Sequence, residues 1–340
     1  MKQMLVNLLC LQVLILFHEL GHFLVARFCG MKVSCFSIGF GPRLASFKYH
    51  GVLYQLALLP LGGFVQIDGM NPEEKIDPKD LSLYPNKPMW QRFLVVLMGP
   101  VMNFVLAIVF FAWALMAGIS QPDISQPVIG QVLADSAAQE AGLLAGDRVL
   151  KIGTVSPERF EEVSSAIRNS NTLSLPIVVQ RGDEVFTLQA TLKEISGAKT
   201  LGIAAPIKQI RVDSVLLALQ QASVWTFEKT AEIMHVLGRL ITGSGGGQLM
   251  GLPGIFKTMS SQAAQGVSAL LVVLSVLSVN LGLFNLLPVP ALDGGRLTFL
   301  IIEMIRRKPV SLKTETIVHT VGFVLLITLL LFVSIRDLLR

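Results

Sequence analysis

The 340-residue sequence is 52% hydrophobic and only 15% charged, with a mean hydropathy of +0.63. Soluble domains carry about 25% charged residues, so a water-soluble globule is excluded and lipid must replace much of the usual water contact. The formal charge of +5 is modest and no dense Lys/Arg run with interleaved aromatics occurs, which excludes nucleic-acid binding.

The first apolar stretch runs from about Met4 to Arg27 and approaches the ~20 residues needed to span a bilayer. It is not read as a cleaved signal, because no small-residue cleavage site follows it and His18, Glu19 and His22 lie at its end. The three cysteines, Cys10, Cys29 and Cys35, sit in or beside this stretch without a CxxC, so they are expected to be free thiols. Residues 32–67 read as a β-meander: Lys32–Phe40, Arg43–Tyr49, a His50–Gly51 turn, Val52–Leu59, a Pro60–Gly63 turn and Phe64–Ile67. The Val52–Leu61 arm is unusually apolar for a loop. A hairpin dipping into the membrane fits it, provided that protein buries its backbone groups or it lines a cavity.

The second span is expected from about Phe93 to Ile119, the third from about Val267 to Leu287 and the fourth from about Ile317 to Ile335. Between spans two and three, residues 120–206 regain charge and read as a small α+β domain. Pro127–Leu133 is a strand, Ala141–Ile152 a turn feeding a strand and Phe160–Arg168 a helix. Leu173–Gln180 and Glu184–Leu192 form a hairpin across an Arg181–Asp183 turn. Residues 207–266 read as an amphipathic linker with helical periodicity over Val212–Leu240, broken at Ser244–Gly247 and again at a Gly251–Gly254 turn cluster.

Four units therefore follow. They are a membrane core of residues 1–119, a domain of residues 120–206, the linker of residues 207–266 and a second membrane core of residues 267–340. Lys32, Arg43, Lys48, Lys75, Lys79, Lys87 and Arg92 load the loop after span one. Arg296, Arg306, Arg307, Lys308 and Lys313 load the loop after span three. Positive loops are cytoplasmic, so both termini and the 120–206 domain are expected outside.

His18–Glu19–Leu20–Gly21–His22 is an HExxH sequence. Residues four apart on a helix share a face, so both imidazoles can meet one Zn²⁺ while Glu19 reaches a metal-bound water as general base. Ionisable residues inside a span cost about 2.5–3.5 kcal/mol each on insertion, which marks them as functional. His18 lies about 21 Å along the helix from Met4 at ~1.5 Å per residue, which places the metal inside the membrane near the cytoplasmic face.

Two protein ligands leave a catalytic zinc short of its usual three. His50, His235 and His319 are read as structural or exposed. The stretch Asn285–Gly295 is the better source: spans one and three run in the same direction, so His22 and Asp293 emerge at one face. Pro288 and Pro290 open the helix there, and Gly294 and Gly295 let the backbone turn closely.

At this point the chain resembles the bacterial site-2 proteases, intramembrane zinc metalloproteases that include the regulator-of-sigma-E type. HELGH matches the family's HExxH, and Asn285–Gly295 matches its NxxPxPxLDGG pattern at every fixed position. Ser37–Pro42 and Gly62–Val65 resemble its membrane-associated β region. The outer domain resembles a bacterial PDZ domain, most clearly at Ala141–Ile152, although the sigma-E type carries two and only one is legible here.

The resemblance implies a polytopic α-helical protein of the bacterial inner membrane, with four spans, a membrane-associated β-meander and an inserted PDZ-like domain. It implies zinc on His18, His22 and Asp293, Glu19 as the base, and Asn285, with Pro288 and Pro290, at the substrate. Substrates would be single-span membrane proteins, of the anti-sigma or remnant signal-peptide class, and a peptide or protein ligand of the PDZ-like domain is a further expected partner. The alternative is a proteolytically inactive membrane scaffold that binds peptide C-termini; it leaves Glu19 without a purpose. An ion or solute transporter would show inverted repeats with midplane sites, and none is legible.

Overall fold

A computed structural model of the protein describes residues 2–70, 76–170, 172–195, 198–242, 251–308 and 310–339. Lys75 and the Ser244–Gly247 break lie outside the described residues. The chain forms two compact units, one of Met1–Ala117 with Val212–Arg340, the other of Gly118–Arg211.

In the first unit, α1 (Lys2–Phe28) is followed by β1 (Val33–Tyr49) and β2 (Val52–Ile67), then by α2 (Met89–Ala117). Four helices among the described residues are long and apolar enough to cross a membrane: Met4–Phe28, Met89–Ala117, Val267–Leu286 and Lys313–Asp337. Each lies within about a turn of its expected bounds.

The two strands fold back on themselves. Residues 35–38 of β1 pair with 63–66 on one side and with 53–56 on the other, while 43–49 closes on 52–57. The result is a four-segment meander in the order 43–49, 52–57, 33–38, 63–67. Its folds fall at Gly39 and Gly41, and at His50–Gly51, all with positive φ. Phe36, Val52 and Ile67 bury one side of the meander against Ala26 of α1 and Val95 of α2. The outer segment is apolar yet exposed, with Phe47 and Tyr49 each more than half accessible.

The second unit begins with β3 (Ile119–Pro122), β4 (Gln131–Val132) and the short α3 (Ala137–Glu140). It continues through β5 (Arg148–Ile152), α4 (Phe160–Arg168), β6 (Ser174–Arg181), β7 (Glu184–Thr191), β8 (Lys193–Ile195) and β9 (Ala198–Thr200), and ends in β10 (Ile203–Ala204) and β11 (Ile207–Ile210). The antiparallel order β5–β6–β7 forms the main sheet, and β3 pairs with β11 where the chain enters and leaves. In α4, Phe160, Val163 and Ile167 are buried. That spacing lies on one helical face, and Val163 and Ile167 join Ile129, Leu143, Ile152 and Ile177 in the core.

In residues 207–266 the helical periodicity of Val212–Leu240 takes shape as α5 (Val215–Ile241), and a second helix, α6 (Leu252–Gln265), follows. The Gly251–Gly254 cluster starts α6 rather than forming a free turn, because Pro253 fits a first helical turn, where its missing N–H costs nothing. α5 stacks Trp225 on Phe111 of α2, with ring centroids 4.0 Å apart. After α7 (Val267–Leu286), Gly294 and Gly295 do not form a loop turn. They are the first turn of an extra helix, α8 (Asp293–Arg306), which precedes α9 (Leu312–Leu338). Polar ties cross between the helices. Asn7 of α1 donates to Phe256 O and Ser260 Oγ of α6, and Arg92 of α2 grips Glu303 of α8 through two hydrogen bonds.

Asp147 is fully buried in the second unit and accepts from Arg181 Nε and Nη2 at 2.8 Å each and from Leu144 N at 2.9 Å. Burial by itself would raise its carboxyl, but these hydrogen bonds outweigh it and hold the group below the usual carboxylate range. A carboxyl lowered by folding contributes stability above its unfolded value of about 3.9 and loses it as the pH falls through the folded value. Acidification below about pH 4 should therefore loosen this unit. Arg181→Leu at neutral pH, which strands the buried charge, should cost about 3 kcal/mol. Hydrogen exchange of the β5 and β6 amides in the full chain would then accelerate on the order of 100-fold.

Candidate metal centre

His18 and His22 lie one turn apart on α1, both buried. Their Nε2 atoms are 3.2 Å apart. Asp293, the first residue of α8, brings Oδ2 to 3.0 Å from His18 Nε2 and 3.3 Å from His22 Nε2. Three ligand atoms thus form a nearly equilateral triangle. Nitrogen and oxygen ligands sit about 2.0–2.1 Å from a tetrahedral zinc, which separates them from one another by about 3.3 Å. Asp293 Oδ2 is buried and has no hydrogen-bond donor among the described residues. A buried carboxylate oxygen without a donor is costly; a cation at the centre of the triangle satisfies it. The donor set fits zinc, and His18, His22 and Asp293 form the one such cluster among the described residues.

The neighbouring helices leave room for this triangle only where side chains are absent. A Cβ on Gly21 would stand 2.3 Å from Met98 O, and one on Gly99 would stand 2.2 Å from His22 Nε2. Glycine at both positions is what lets α1 and α2 approach. Pro100 removes the N–H that would bond the Val96 carbonyl. One residue earlier, the Val95 carbonyl accepts from His22 Nδ1 at 2.8 Å. A proton on Nδ1 leaves Nε2 of His22 bare for a metal.

Glu19 is fixed from the other side. The Val65 amide donates to Glu19 Oε2 at 3.1 Å. Two turns earlier on the helix, buried Gln12 accepts from Gly62 N at 3.1 Å and donates to Gly62 O at 2.7 Å. The last segment of the meander is therefore stapled along α1 and ends beside the Glu19 carboxylate.

Asp293 is delivered by the loop of residues 287–292. Ala291 has φ +74°, a conformation that alanine rarely adopts. Its N–H donates to His319 Nδ1 of α9 at 2.8 Å. A Cβ on Gly294 would lie 2.0 Å from Leu287 O, and one on Gly295 2.6 Å from Val289 O, so the loop folds down onto the helix it starts. His319, read from sequence as structural or exposed, is structural, and what it supports is this loop. The residues expected at the substrate are less tightly bound. Asn285, in the last turn of α7, is half-buried and makes no hydrogen bond to a described residue, and Pro288 is exposed. Pro290 lines an apolar groove of about 360 Å³ with Val318, Val321 and Leu325 of α9.

An HExxH helix and a distant aspartate that converge among four apolar helices define a membrane zinc metalloprotease. Residues 6–329 match the family model for peptidase family M50. Three similar proteins are RasP zinc metalloproteases. That of Geobacillus kaustophilus is 32% identical, with 95% of this chain and 94% of the relative covered. That of Bacillus licheniformis is 30% identical, with 96% of each covered. The regulator of sigma-W protease RasP of Bacillus subtilis is also 30% identical, with 96% of each covered. The chain belongs to peptidase family M50, the site-2 protease family, and is a multi-pass membrane enzyme with zinc as its cofactor.

Gly99→Ala should push the His22 imidazole off the ligand triangle. Purified variant protein is expected to hold far less than one zinc per chain by metal analysis, while retaining its helical circular dichroism. His319→Leu strands the Ala291 amide and should lower thermal stability by about 1–3 kcal/mol.

Proposed function

We propose that the protein is an endopeptidase that cuts single-span membrane proteins within their transmembrane segments, with His18, His22 and Asp293 as the zinc ligands and Glu19 as the general base. The convergence of the three ligand atoms beside the HExxH glutamate carries this reading. The metal, when bound, supplies Lewis-acid polarisation of the scissile carbonyl and acidifies water at the site. The chain's own residues do the rest. Val65 N–H holds one oxygen of Glu19, leaving the other to take the proton of the attacking water and pass it to the departing amide nitrogen. Asn285, whose side chain makes no hydrogen bond to a described residue, suits a hydrogen bond to substrate backbone, with Pro288 and Pro290 close after it in the chain.

A helical substrate shields its carbonyls, so it must be unwound before attack. The stapled segment 63–67 is an edge of the meander. That edge is already tied to α1 through Gln12 and Glu19, so an extended substrate strand would add at the opposite edge, segment 43–49. The same positive-loop rule that orients the spans puts the site near the cytoplasmic face, with both termini and the Gly118–Arg211 unit outside the inner membrane. That unit, read as PDZ-like, restricts substrates with bulky outer domains. A relative is named for the regulation of sigma-W, which favours anti-sigma factors among the substrates.

The scaffold reading predicts that Glu19 is dispensable. Glu19→Gln should keep zinc but slow cleavage of a single-span substrate by about 10²–10⁴-fold, and a zinc chelator should abolish it. Unaltered cleavage by Glu19→Gln in purified protein would refute the mechanism. Deleting residues 125–205 should admit substrates that the intact chain leaves uncut; unchanged selectivity would remove the gating role.

A further inference from the structure

Asn103 lies in the middle of α2, an apolar helix, and is fully buried. No motif accounts for it. Its side-chain nitrogen Nδ2 is placed 3.0 Å from His18 Nδ1 while its buried Oδ1 has no partner among the described residues, and its backbone carbonyl accepts from Ser278 Oγ of α7 at 2.7 Å. Ser278 is fully buried as well. Val95, Gly99 and Asn103 are each four residues apart and so lie along one face of α2. Val95 takes the outer nitrogen of His22, Gly99 makes room for its ring, and Asn103 takes the outer nitrogen of His18.

We propose that Asn103 is a positioning residue for the zinc site, whose Oδ1 accepts from His18 Nδ1–H and so fixes His18 in the tautomer with a bare Nε2. The argument rests on the reading of His18 as a ligand. His18 Nε2 points at Asp293 Oδ2 and His22 Nε2, at 3.0 and 3.2 Å. A metal there requires Nε2 to be unprotonated, so the single proton of the neutral ring must be on Nδ1. Nδ1–H needs an acceptor, and the amide within reach is that of Asn103. The two ends of an asparagine amide are interchangeable in shape, so the requirement of the imidazole decides which faces it: oxygen toward Nδ1, nitrogen away. The two histidines are thereby oriented by one helix in two ways, His22 by a main-chain carbonyl and His18 by a side chain. The Ser278 bond holds Asn103 in register with α7, the helix that leads to the Asp293 loop.

The test is zinc affinity of the detergent-solubilised full chain, measured by competition with a chromophoric chelator, for wild type, Asn103→Asp and Asn103→Leu. Asp keeps an acceptor at the same place; Leu keeps the bulk and removes it. Loss of an acceptor behind a ligating histidine weakens metal binding by about 10–100-fold. That loss is expected in Asn103→Leu, with Asn103→Asp binding zinc at least as tightly as wild type. The visible spectrum of the cobalt-substituted Asn103→Asp protein should shift, because a charged acceptor makes His18 a stronger donor; a packing role would leave that spectrum unmoved. Equal affinities in all three proteins would overturn the proposal, as would a tenfold loss in Asn103→Asp, whether or not Asn103→Leu folds. If wild type itself bound no zinc, or His18→Ala bound it unchanged, the ligand reading beneath the proposal would fail first.

Discussion

The architecture depends on one constraint: a buried carboxylate oxygen and two imidazole nitrogens must stand within about 3 Å of one another with no proton among them. Such a triangle repels itself unless a cation fills it, and it cannot be held by one helix. α1 contributes two corners. The third comes from the start of α8, after a loop that the chain forces through an alanine with positive φ. The bonds that serve the site, Val95 to His22, Val65 to Glu19 and His319 to Ala291, are anchors that keep these corners from relaxing apart.

Lipid makes those anchors necessary. Inside a bilayer there is no water to replace a lost hydrogen bond, so each polar atom brought in by the chemistry needs an internal partner. The meander illustrates this. Its final segment lies along α1 because Gln12 satisfies both main-chain groups of Gly62, and Glu19 one amide further on. The same contacts that make the strand tolerable beside an apolar helix also aim the glutamate. One set of hydrogen bonds both satisfies the strand and would orient Glu19 as the proposed base.

Much of this was legible in the residues. The fourfold spacing of His18 and His22 implies a shared helix face whatever surrounds it, and the parallel sense of spans one and three brings Asp293 to that face. The spans follow from length and apolarity, and the α4 helix from the apolar period of Phe160, Val163 and Ile167. Other features had no such signal. Asn103 is a single polar residue in an apolar run, and nothing in its spacing names a partner that is far away in sequence. α8 was hidden because Gly294 and Gly295 are poor helix formers; they are tolerated because the preceding loop lies so close that no Cβ fits. His319 was invisible as a support because its partner is a main-chain amide, which carries no sequence identity.

The four long helices are not equally committed. Buried residues make up 39% of the apolar window in both α2 and α7, but 11% in α9. α1, α2 and α7 are joined through the imidazoles and through Ser278, so separating them dismantles the metal site. Parting α1 from α2 would strip both imidazoles of the groups behind their outer nitrogens, Val95 O and the Asn103 side chain. α9 touches the centre only through His319 and the apolar groove behind Pro290. α1, α2 and α7 thus form the tightly tied side of this unit, and α9, with most of its length uncovered, the loosely tied one.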